Sequence, residues 1–226
     1  MILSHLNYKI FPLSDSAITI DFGNSINEST NTIVSQLFKS CDLNPFQGFI
    51  ESVPAYASLT IFYDVYQVKL HNPAIESAFS FVTSYLENQL QCLDSQGNTE
   101  VKLIEIPVIY DGEDLAFVAE YTQLSVPQII AIHTAPTYRV YMMGFLPGFA
   151  YLGGMDERIA TPRKSTPRMK VPAGSVGIAG KQTGIYPLES PGGWQLIGHI
   201  LLPLFTPEAE SPTLLKAGDL VRFREN

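Results

Sequence analysis

The chain has 226 residues, of which 46% are hydrophobic and 16% are charged. This composition is typical of a packed globular protein and excludes a largely disordered chain. A net charge of −8 argues against a general nucleic-acid binder, and the apolar runs are far shorter than the roughly 20 residues of a membrane-spanning helix.

The N-terminal segment MILSHLNYKIF has no basic region followed by an apolar stretch and a cleavage site. We therefore expect no signal peptide and a cytoplasmic protein. Cys41 and Cys92 lack CxxC spacing, which predicts two semi-buried core thiols in a reducing compartment. The four histidines are scattered along the chain, so we predict no metal site in it.

The first half alternates between strand and helix patterns. Strands are predicted at 8–13, 16–23, 49–56, 58–64 and 101–108. A capping-box pattern at Ser25 and Glu28 predicts one helix, and Asn72-Pro73 is expected to open a second helix, with proline in its first turn. This order predicts a small α+β layer with helices on one face of the sheet.

The polar segment LDSQGNTE at 93–100 is the best linker, because it contains glycine and separates two periodic segments. It predicts two domains, at 1–95 and 100–226.

The second half begins with two short helices, predicted near 113–122 and from a second capping box at Ser125 to His133. They resemble a helix-turn-helix. We exclude DNA binding because the second helix, PQIIAIH, offers almost no polar side chain for bases or phosphates. After Arg139, short β-like runs separated by glycine and proline predict a closed or nearly closed barrel.

Six basic residues and no acidic residue lie between positions 158 and 181. The segment is either a solvated basic loop or a site for a small anion, such as a carboxylate or phosphate.

The stretch AGSVGIAGKQTGIYPLESPGGWQLIG, residues 173–198, contains seven glycines and the only tryptophan of the chain. It fails the phosphate-loop pattern GxxxxGK[ST], which would need Gly at position 175 and Ser or Thr at position 182. The glycine spacing instead favours β-turns and close strand crossings.

His133 lies in the last turn of its predicted helix. It is either a favourable partner of the helix dipole or a group with a catalytic or ligand-binding role.

The segment 138–198 contains the motifs GFLPGF, TPRKSTPRMKVPAGSVGIAG and QTGIYPLESPGGW. They resemble, almost without gaps, the carboxyltransferase subdomain family called allophanate hydrolase subunit 1, and most of all the branch that contains the 5-oxoprolinase B subunit, with the sporulation kinase inhibitor. The similarity continues more weakly over the whole chain, as far as LLKAGDLVRF at 214–223. The chain departs from the usual family residues at Ala150, Lys181 and His199.

The resemblance implies an α+β protein with a ferredoxin-like N-terminal domain followed by a cyclophilin-like β-barrel domain. It implies the B subunit of a 5-oxoprolinase, a complex that hydrolyses 5-oxo-L-proline to L-glutamate with ATP and Mg²⁺. The partners would be the homologous C subunit, together with the A subunit. We expect little activity from the chain alone, and ATP bound mainly by a partner.

The family motif, read with the chemistry of a carboxylate-bearing lactam, implies a set of site residues. His133 is the candidate proton-transfer group, and arginines pair well with carboxylates and phosphates. The predicted substrate- and anion-binding residues are Arg139, Arg163, Arg168, Gln182, Thr183, Tyr186 and Trp194.

Two other functions share these motifs. One is an inhibitor of a sensor histidine kinase, with the barrel as a protein-docking surface. The other is a carboxyltransferase subunit of an allophanate- or urea-type biotin system, which would need a biotinylated partner because the chain has no AMKM motif.

Overall fold

The chain divides into two compact units, Met1–Glu100 and Val101–Asn226. The computed structural model describes residues 7–24, 27–93 and 101–226. Most of the predicted linker, residues 94–100, lies outside the described residues.

The N-terminal unit contains one antiparallel sheet with the strand order β1-β2-β4-β3. Its strands are β1 (Lys9–Ser14), β2 (Ala17–Asp21), β3 (Phe49–Pro54) and β4 (Ser58–Tyr63), and its helices are α1 (Glu28–Leu43), α2 (Val65–His71) and α3 (Ala78–Cys92). Ile18 is opposite Ile61 and Ile20 is opposite Leu59 across β2 and β4. These four side chains form one buried cluster with residues of α1 and α3, so both helices cover the same face of the sheet.

The helix starts differ from the predicted ones. Asn27 caps α1, and its side chain accepts a hydrogen bond from the Thr30 N–H at 2.8 Å; Ser25, the predicted cap, lies outside the described residues. The prediction that Asn72-Pro73 opens a helix is wrong. Asn72 is the C-cap of α2, and its side-chain amide donates to the Val68 carbonyl at 2.9 Å. Asparagine suits either end of a helix, so the local signal was ambiguous.

The order of elements in this unit is β-β-α-β-β-α-α, whereas a ferredoxin-like domain has the order β-α-β-β-α-β. Strand β2 lies between β4 and β1, and its neighbour β1 comes before it in the chain and not after the last helix. The ferredoxin-like assignment therefore stays a prediction, while the layer of helices on one face of a sheet is observed.

The C-terminal unit is built around a seven-stranded sheet with the order β12-β9-β10-β7-β6-β13-β5. The strands of the unit are β5 (Leu103–Val108), β6 (Tyr138–Met143), β7 (Ala150–Gly153), β8 (Arg168–Val171), β9 (Ser175–Ala179), β10 (Gln182–Ile185), β11 (Ser190–Gly192), β12 (Gln195–His199) and β13 (Leu220–Glu225). Strands β8 and β11 form a separate two-stranded ribbon.

The two edges of the seven-stranded sheet meet at an isolated antiparallel bridge between Ile109 and His199. The backbone N–H of each residue donates to the carbonyl of the other, at 2.9 and 2.8 Å. The sheet is therefore a nearly closed barrel, as predicted, and the finer cyclophilin-like description stays a prediction.

The close approach at this bridge requires glycine on β12. A Cβ atom on Gly198 would overlap the Ile109 carbonyl oxygen, and one on Gly112 would overlap the backbone at Leu196 and Ile197. These glycines are needed for space, since neither has a left-handed φ.

Two helices follow β5: α4 (Leu115–Thr122) and α5 (Val126–Thr134). Ser125 caps α5, with Pro127 in the first turn and the Ser125 N–H donating to the Gln128 side chain at 2.9 Å. Ile129 of α5 and Val118 of α4 are fully buried in the barrel core. Their apolar faces are therefore used for packing.

The two cysteines have different environments. Cys41 is buried, and burial raises the pKa of its thiol to about 12. Cys92 is exposed, so the prediction of two semi-buried core thiols is wrong for this residue. It lies at the last position of α3, where the apolar stripe has ended.

We expect Leu86→Ala to lower the free energy of unfolding of the N-terminal unit by about 2–5 kcal/mol, because Leu86 of α3 is fully buried against the sheet. Hydrogen exchange of the β2 and β4 amides under native conditions measures this loss. Leu43→Ala, at a leucine that is 76% exposed, is the control and should change protection by less than about 0.5 kcal/mol. Equal effects of the two substitutions would contradict this packing.

Candidate functional site: an aromatic face and one unpaired arginine

The barrel carries a second apolar cluster on the face of its sheet opposite the main core. Along β7 and β10 the side chains alternate: Leu152 and Ile185 belong to the main core, whereas Tyr151 points to the other face. The ribbon contributes Val171 of β8. We call this cluster the aromatic face; its buried residues are Phe149, Val171, Ala179, Tyr186, Trp194 and Leu196.

Trp194 is the centre of the aromatic face. Its ring lies edge-on to Phe149, Tyr151 and Tyr186, with centroid distances of 5.6, 6.0 and 6.4 Å. Phe145 packs edge-on against Phe149 at 5.5 Å, although it is 59% exposed. Edge-to-face pairs of this kind are favourable for aromatic rings, so Tyr186 and Trp194, both predicted site residues, form one rigid wall.

Phe145 has a left-handed backbone, with φ of +70°. A non-glycine residue in this region costs on the order of 1–3 kcal/mol, and such strain is concentrated at functional sites. The strained residue lies at the exposed margin of the aromatic face, within GFLPGF.

The glycines of the stretch 173–198 provide space for these rings. A Cβ on Gly184 would lie 3.0 Å from both the Trp194 ring and the Ala150 carbonyl oxygen. A Cβ on Gly177 would lie 3.0 Å from the Cβ of Trp194, and one on Gly192 would overlap the Tyr186 hydroxyl. The stretch is therefore strand and turn structure around Trp194.

The basic segment 158–181 is largely neutralised by carboxylates from elsewhere in the chain. The ion pairs are Arg158 with Asp156, Lys164 with Asp114, Arg168 with Glu113 and Asp114, Lys170 with Glu189, and Lys181 with Glu157. Within the part of the chain that the structure describes, Arg163 is the one basic residue of the segment without a carboxylate partner.

Arg163 is exposed, and the residues on both sides of it are anchored. The Pro162 carbonyl accepts from the Gln195 side-chain amide at 2.9 Å, and the Lys164 N–H donates to the Gly193 carbonyl at 2.7 Å. The other amide atom, Gln195 Oε1, is buried and has no protein partner among the described residues. These bonds hold the backbone of Arg163 beside β12. The buried Gln195 Oε1 next to it can still accept a hydrogen bond.

The charge of Arg163 acts on the aromatic face. Burial raises the pKa of Tyr151, and Arg163 opposes this effect. Burial also raises the pKa of Tyr186, opposed by the Trp194 backbone N–H and then by Arg163. Both phenols are protonated at neutral pH and can donate hydrogen bonds. An anion beside Arg163 would therefore be stabilised by one positive charge and by hydroxyl donors.

Asp114 organises the two other cations near this site. It is 5% exposed, and its carboxylate accepts from Arg168 at 2.5 Å, Lys164 at 3.1 Å and the Leu196 N–H at 2.7 Å. Burial acts to raise the pKa of Asp114, but the hydrogen bonds from Leu196, Arg168 and Lys164 outweigh it and hold the pKa below its usual value.

Arg168, predicted to bind an anion, is committed to protein groups in this structure. Besides Asp114 it contacts Glu113 at 2.5 Å and donates to the Trp194 carbonyl at 3.2 Å. It therefore connects the loop before α4 to the aromatic face. No local pattern indicates this role, because Asp114 is 54 residues away from Arg168 in the chain.

His133 and Thr183 lie inside the barrel. Neither has exposed surface. Thr183 donates to the Gly177 carbonyl at 3.0 Å and so accepts from His133 Nε2 at 2.9 Å, which leaves Nδ1 to accept from the Tyr110 hydroxyl at 2.7 Å. The imidazole also stacks on Phe223 at 4.6 Å.

Burial lowers the pKa of His133 to about 3, so the ring is neutral with both nitrogens in use. Thr183 neighbours Gly184, whose missing side chain faces Trp194. Successive side chains of a strand point to opposite faces. The structure therefore places His133 and Thr183 on the face of the sheet away from the aromatic face, and does not bring them to Arg163.

Two predicted residues lie elsewhere on the sheet. Arg139 is half-buried on β6 opposite Gly153 and Leu220. Gln182 is half-buried at the start of β10 opposite Ala179. The structure thus groups Arg163, Arg168, Tyr186 and Trp194 of the predicted set, and sequence reasoning missed Asp114 and Tyr151.

Over residues 7–24, 27–93 and 101–226, no group of three or more His, Cys, Asp or Glu residues could hold a metal ion. Within the same ranges no single helix has the length and apolar character to cross a membrane. The pair α4 and α5, bent by 94°, passes that test by length and composition only.

The fold is that of a carboxyltransferase-type domain. The family described as carboxyltransferase domain, subdomain C and D, matches residues 8–215, and the chain belongs to this family.

The chain is 51% identical over 222 residues to the B subunit of 5-oxoprolinase from Bacillus subtilis (strain 168), a match that covers 96% of this chain and 92% of the relative. The crystal structure of TTHA0988 matches with a TM-score of 0.78 and 38% identity over 93% of this chain, but this chain spans only 40% of TTHA0988. The K. lactis urea amidolyase matches with a TM-score of 0.73 over 97% of this chain and 15% of the enzyme. At 17% identity, this last likeness shows the fold alone.

We expect Asp114→Asn to lower the free energy of unfolding of the barrel by about 3–5 kcal/mol, because it leaves Arg168 and Lys164 without their shared carboxylate. Urea denaturation followed by Trp194 fluorescence measures this unit, since Trp194 is the only tryptophan. The control, Glu157→Gln, removes the partner of the exposed Lys181 and should cost less than about 1 kcal/mol. A similar small cost for Asp114→Asn would contradict its central position.

His133 should make the barrel sensitive to mild acid. Its folded pKa of about 3 lies below the ordinary value of 6.5, so its contribution is complete above pH 6.5 and falls as the unfolded chain gains a proton. The advantage of wild type over His133→Gln should shrink by about 2 kcal/mol between pH 7 and pH 5. Urea denaturation at both pH values measures this change.

The matched control for His133→Gln is Thr134→Ala, at the next residue of α5, which carries no titratable group and should show the same difference from wild type at both pH values. If the His133→Gln difference does not depend on pH either, His133 is not buried as a neutral ring.

Proposed function

We propose that this chain is the B subunit of a 5-oxoprolinase, a complex that opens the lactam of 5-oxo-L-proline to L-glutamate at the expense of ATP. Support comes from 51% identity, over 96% of the chain, to a protein of that name. TTHA0988 is longer than this chain, which spans 40% of it. This difference in length is consistent with a chain that functions together with other domains or subunits. We expect the hydrolase to need all its subunits and this chain alone to be inactive.

One observation carries the assignment of the substrate site: Arg163 is exposed and, among the described residues, lacks a carboxylate partner, while the other cations of its segment have one. The carboxylate of 5-oxo-L-proline is the group that would pair with Arg163, because guanidinium and carboxylate make two parallel hydrogen bonds. Tyr151 and Tyr186 are candidate donors to the lactam oxygen. The charge of Arg163 opposes the rise in their pKa values that burial causes.

The site binds and orients the lactam but contains no group ready to transfer a proton among the described residues. His133, the predicted proton-transfer group, is buried with both nitrogens bonded, so it takes no part in the chemical step. Arg168 becomes a positioning residue, because its guanidinium already contacts Asp114, Glu113 and the Trp194 carbonyl. The reacting groups would then come from a partner.

We propose that ATP does not bind the glycine-rich stretch of this chain, because two of its turn glycines already use their backbone N–H groups. The N–H of Gly174 donates to the Tyr186 carbonyl at 2.7 Å and that of Gly180 to the Thr161 carbonyl at 2.7 Å. Backbone N–H groups used in this way cannot cradle phosphates. We therefore assign ATP and its Mg²⁺ to the A and C subunits of the complex.

The other two functions have less support. The carboxyltransferase relation is one of family and fold, and no described contact favours a biotin-linked reaction. Inhibition of a histidine kinase stays a prediction of the sequence motifs.

We expect Arg163→Gln to lower kcat/KM for 5-oxo-L-proline about 10- to 100-fold in the complex reconstituted with its A and C subunits, mainly through KM. A hydrogen bond to a charged group is worth about 1.5–3 kcal/mol. The assay is L-glutamate formation that depends on both ATP and 5-oxo-L-proline.

Lys170→Gln is the matched control for Arg163→Gln. It removes a neighbouring cation that is 77% exposed and paired with Glu189, and it should leave kcat/KM unchanged. A kcat/KM for Arg163→Gln within about twofold of wild type would remove Arg163 from the site. Wild-type complex without activity would instead refute the proposed function itself.

A further inference from the structure

A separate cleft of about 380 Å³ opens in the C-terminal unit beside the barrel closure. Its walls include Asp111 and Glu113 from the loop before α4, Ser175 at the start of β9 and His199 at the end of β12. Its volume lies in the range of small-molecule sites. None of these four residues belongs to the aromatic face, although Leu196 of that face also lines the cleft.

Asp111 and His199 form an oriented pair in this cleft. Asp111 Oδ1 accepts a hydrogen bond from His199 Nδ1 at 2.8 Å. Because Nδ1 carries the proton in this arrangement, Nε2 of the neutral ring is an acceptor. The side chains remain 59% and 37% exposed, so the second carboxylate oxygen and Nε2 can both accept from a ligand.

Ser175 supplies the opposite kind of group. It is directly opposite His199 in the β9–β12 pairing. Since the Ile200 N–H donates to the Gly174 carbonyl at 2.9 Å, these two residues form a non-hydrogen-bonded pair, in which facing side chains are closest. Ser175 is 5% exposed, and its hydroxyl has no hydrogen-bond partner among the described residues. It is a buried donor that faces the cleft.

Glu113 does not compete for the same ligand group. Its carboxylate contacts Arg168 Nε at 2.5 Å, which balances its charge. Asp111 then provides the uncompensated negative charge of the cleft when His199 is neutral. A carboxylate placed next to Asp111 would be repelled, whereas a positively charged group that donates hydrogen bonds would be attracted to it.

We propose that this cleft binds a small α-amino acid, with its ammonium group on Asp111 and His199 and its carboxylate accepting from Ser175. Three N–H donors of an ammonium group match the two free acceptors and leave one for water. The nitrogen of a lactam carries no charge, so the cleft should reject 5-oxo-L-proline. The particular amino acid that we expect is L-glutamate, the reaction product, and this choice rests on the proposed function. The class of ligand, an α-amino acid, rests on the cleft alone.

The test is titration of the isolated full chain, followed by NMR shifts of the cleft residues and by calorimetry. The probes are L-glutamate, L-alanine, N-acetyl-L-glutamate and 5-oxo-L-proline. We expect L-glutamate to bind at least tenfold more tightly than N-acetyl-L-glutamate, which differs by the loss of the ammonium charge. Binding of L-alanine as well would extend the site to amino acids in general.

Asp111→Asn should weaken L-glutamate binding at least tenfold, and Ser175→Ala should weaken it severalfold. The control is Asp156→Asn, which removes a carboxylate of the same unit that pairs with the exposed Arg158, and it should leave binding unchanged. Because Asp111 is exposed, its substitution should leave the fold intact, as Trp194 fluorescence can verify.

Two results would overturn the proposal: equal binding of L-glutamate and N-acetyl-L-glutamate, or equal affinities of wild type and Asp111→Asn. Failure of every probe to bind would also overturn it. Turnover of 5-oxo-L-proline by the reconstituted wild-type complex is a separate measurement, so loss of this proposal would not be confused with loss of the proposed function.

Discussion

The closure of the barrel between Ile109 and His199 is the constraint on which the other features of the C-terminal unit depend. Two backbone hydrogen bonds join the strands there, and the approach is possible because residues 112 and 198 lack a Cβ. The same crossing brings the loop before α4 against β12, where the Asp114 carboxylate reaches the Leu196 N–H at 2.7 Å. A buried carboxylate is tolerated at this point because several donors converge on it.

Asp114 then determines which cations are free. It pairs with Lys164 and Arg168, both from the segment that also contains Arg163. Arg163 lies between Pro162 and Lys164, which are each hydrogen-bonded to the region of β12. Among the described residues, the segment 158–181 therefore presents one guanidinium without a carboxylate partner and not a broad basic patch. A single fixed charge suits a ligand with one carboxylate better than it suits a polyanion.

Local sequence signals predicted the strands of the first half and four helices, because apolar periodicity and caps act over a few residues, but they missed the short helix α2. They failed at Asn72, where the same residue type serves both helix ends. A closed or nearly closed barrel could be anticipated from glycine and proline spacing, but the residues that close it could not be identified, since Ile109 and His199 are far apart in the chain. Of the predicted site residues, the structure brings Tyr186 and Trp194 together, whereas the burial of His133 depends on Tyr110 and Thr183, which lie 23 and 50 residues away. Charge counted along a segment was misleading, because the neutralising carboxylates came from other segments.

The ion pairs around Arg168 connect the proposed substrate site with the cleft proposed to bind an amino acid. Glu113 forms part of the cleft wall, and its partner Arg168 donates to the carbonyl of Trp194, the central ring of the aromatic face. A ligand that drew Glu113 toward the cleft would leave Arg168 with Asp114 and the carbonyl, and so would change the charge balance next to Trp194. The arrangement needs no moving domain to link the two regions, because one guanidinium touches groups on both sides.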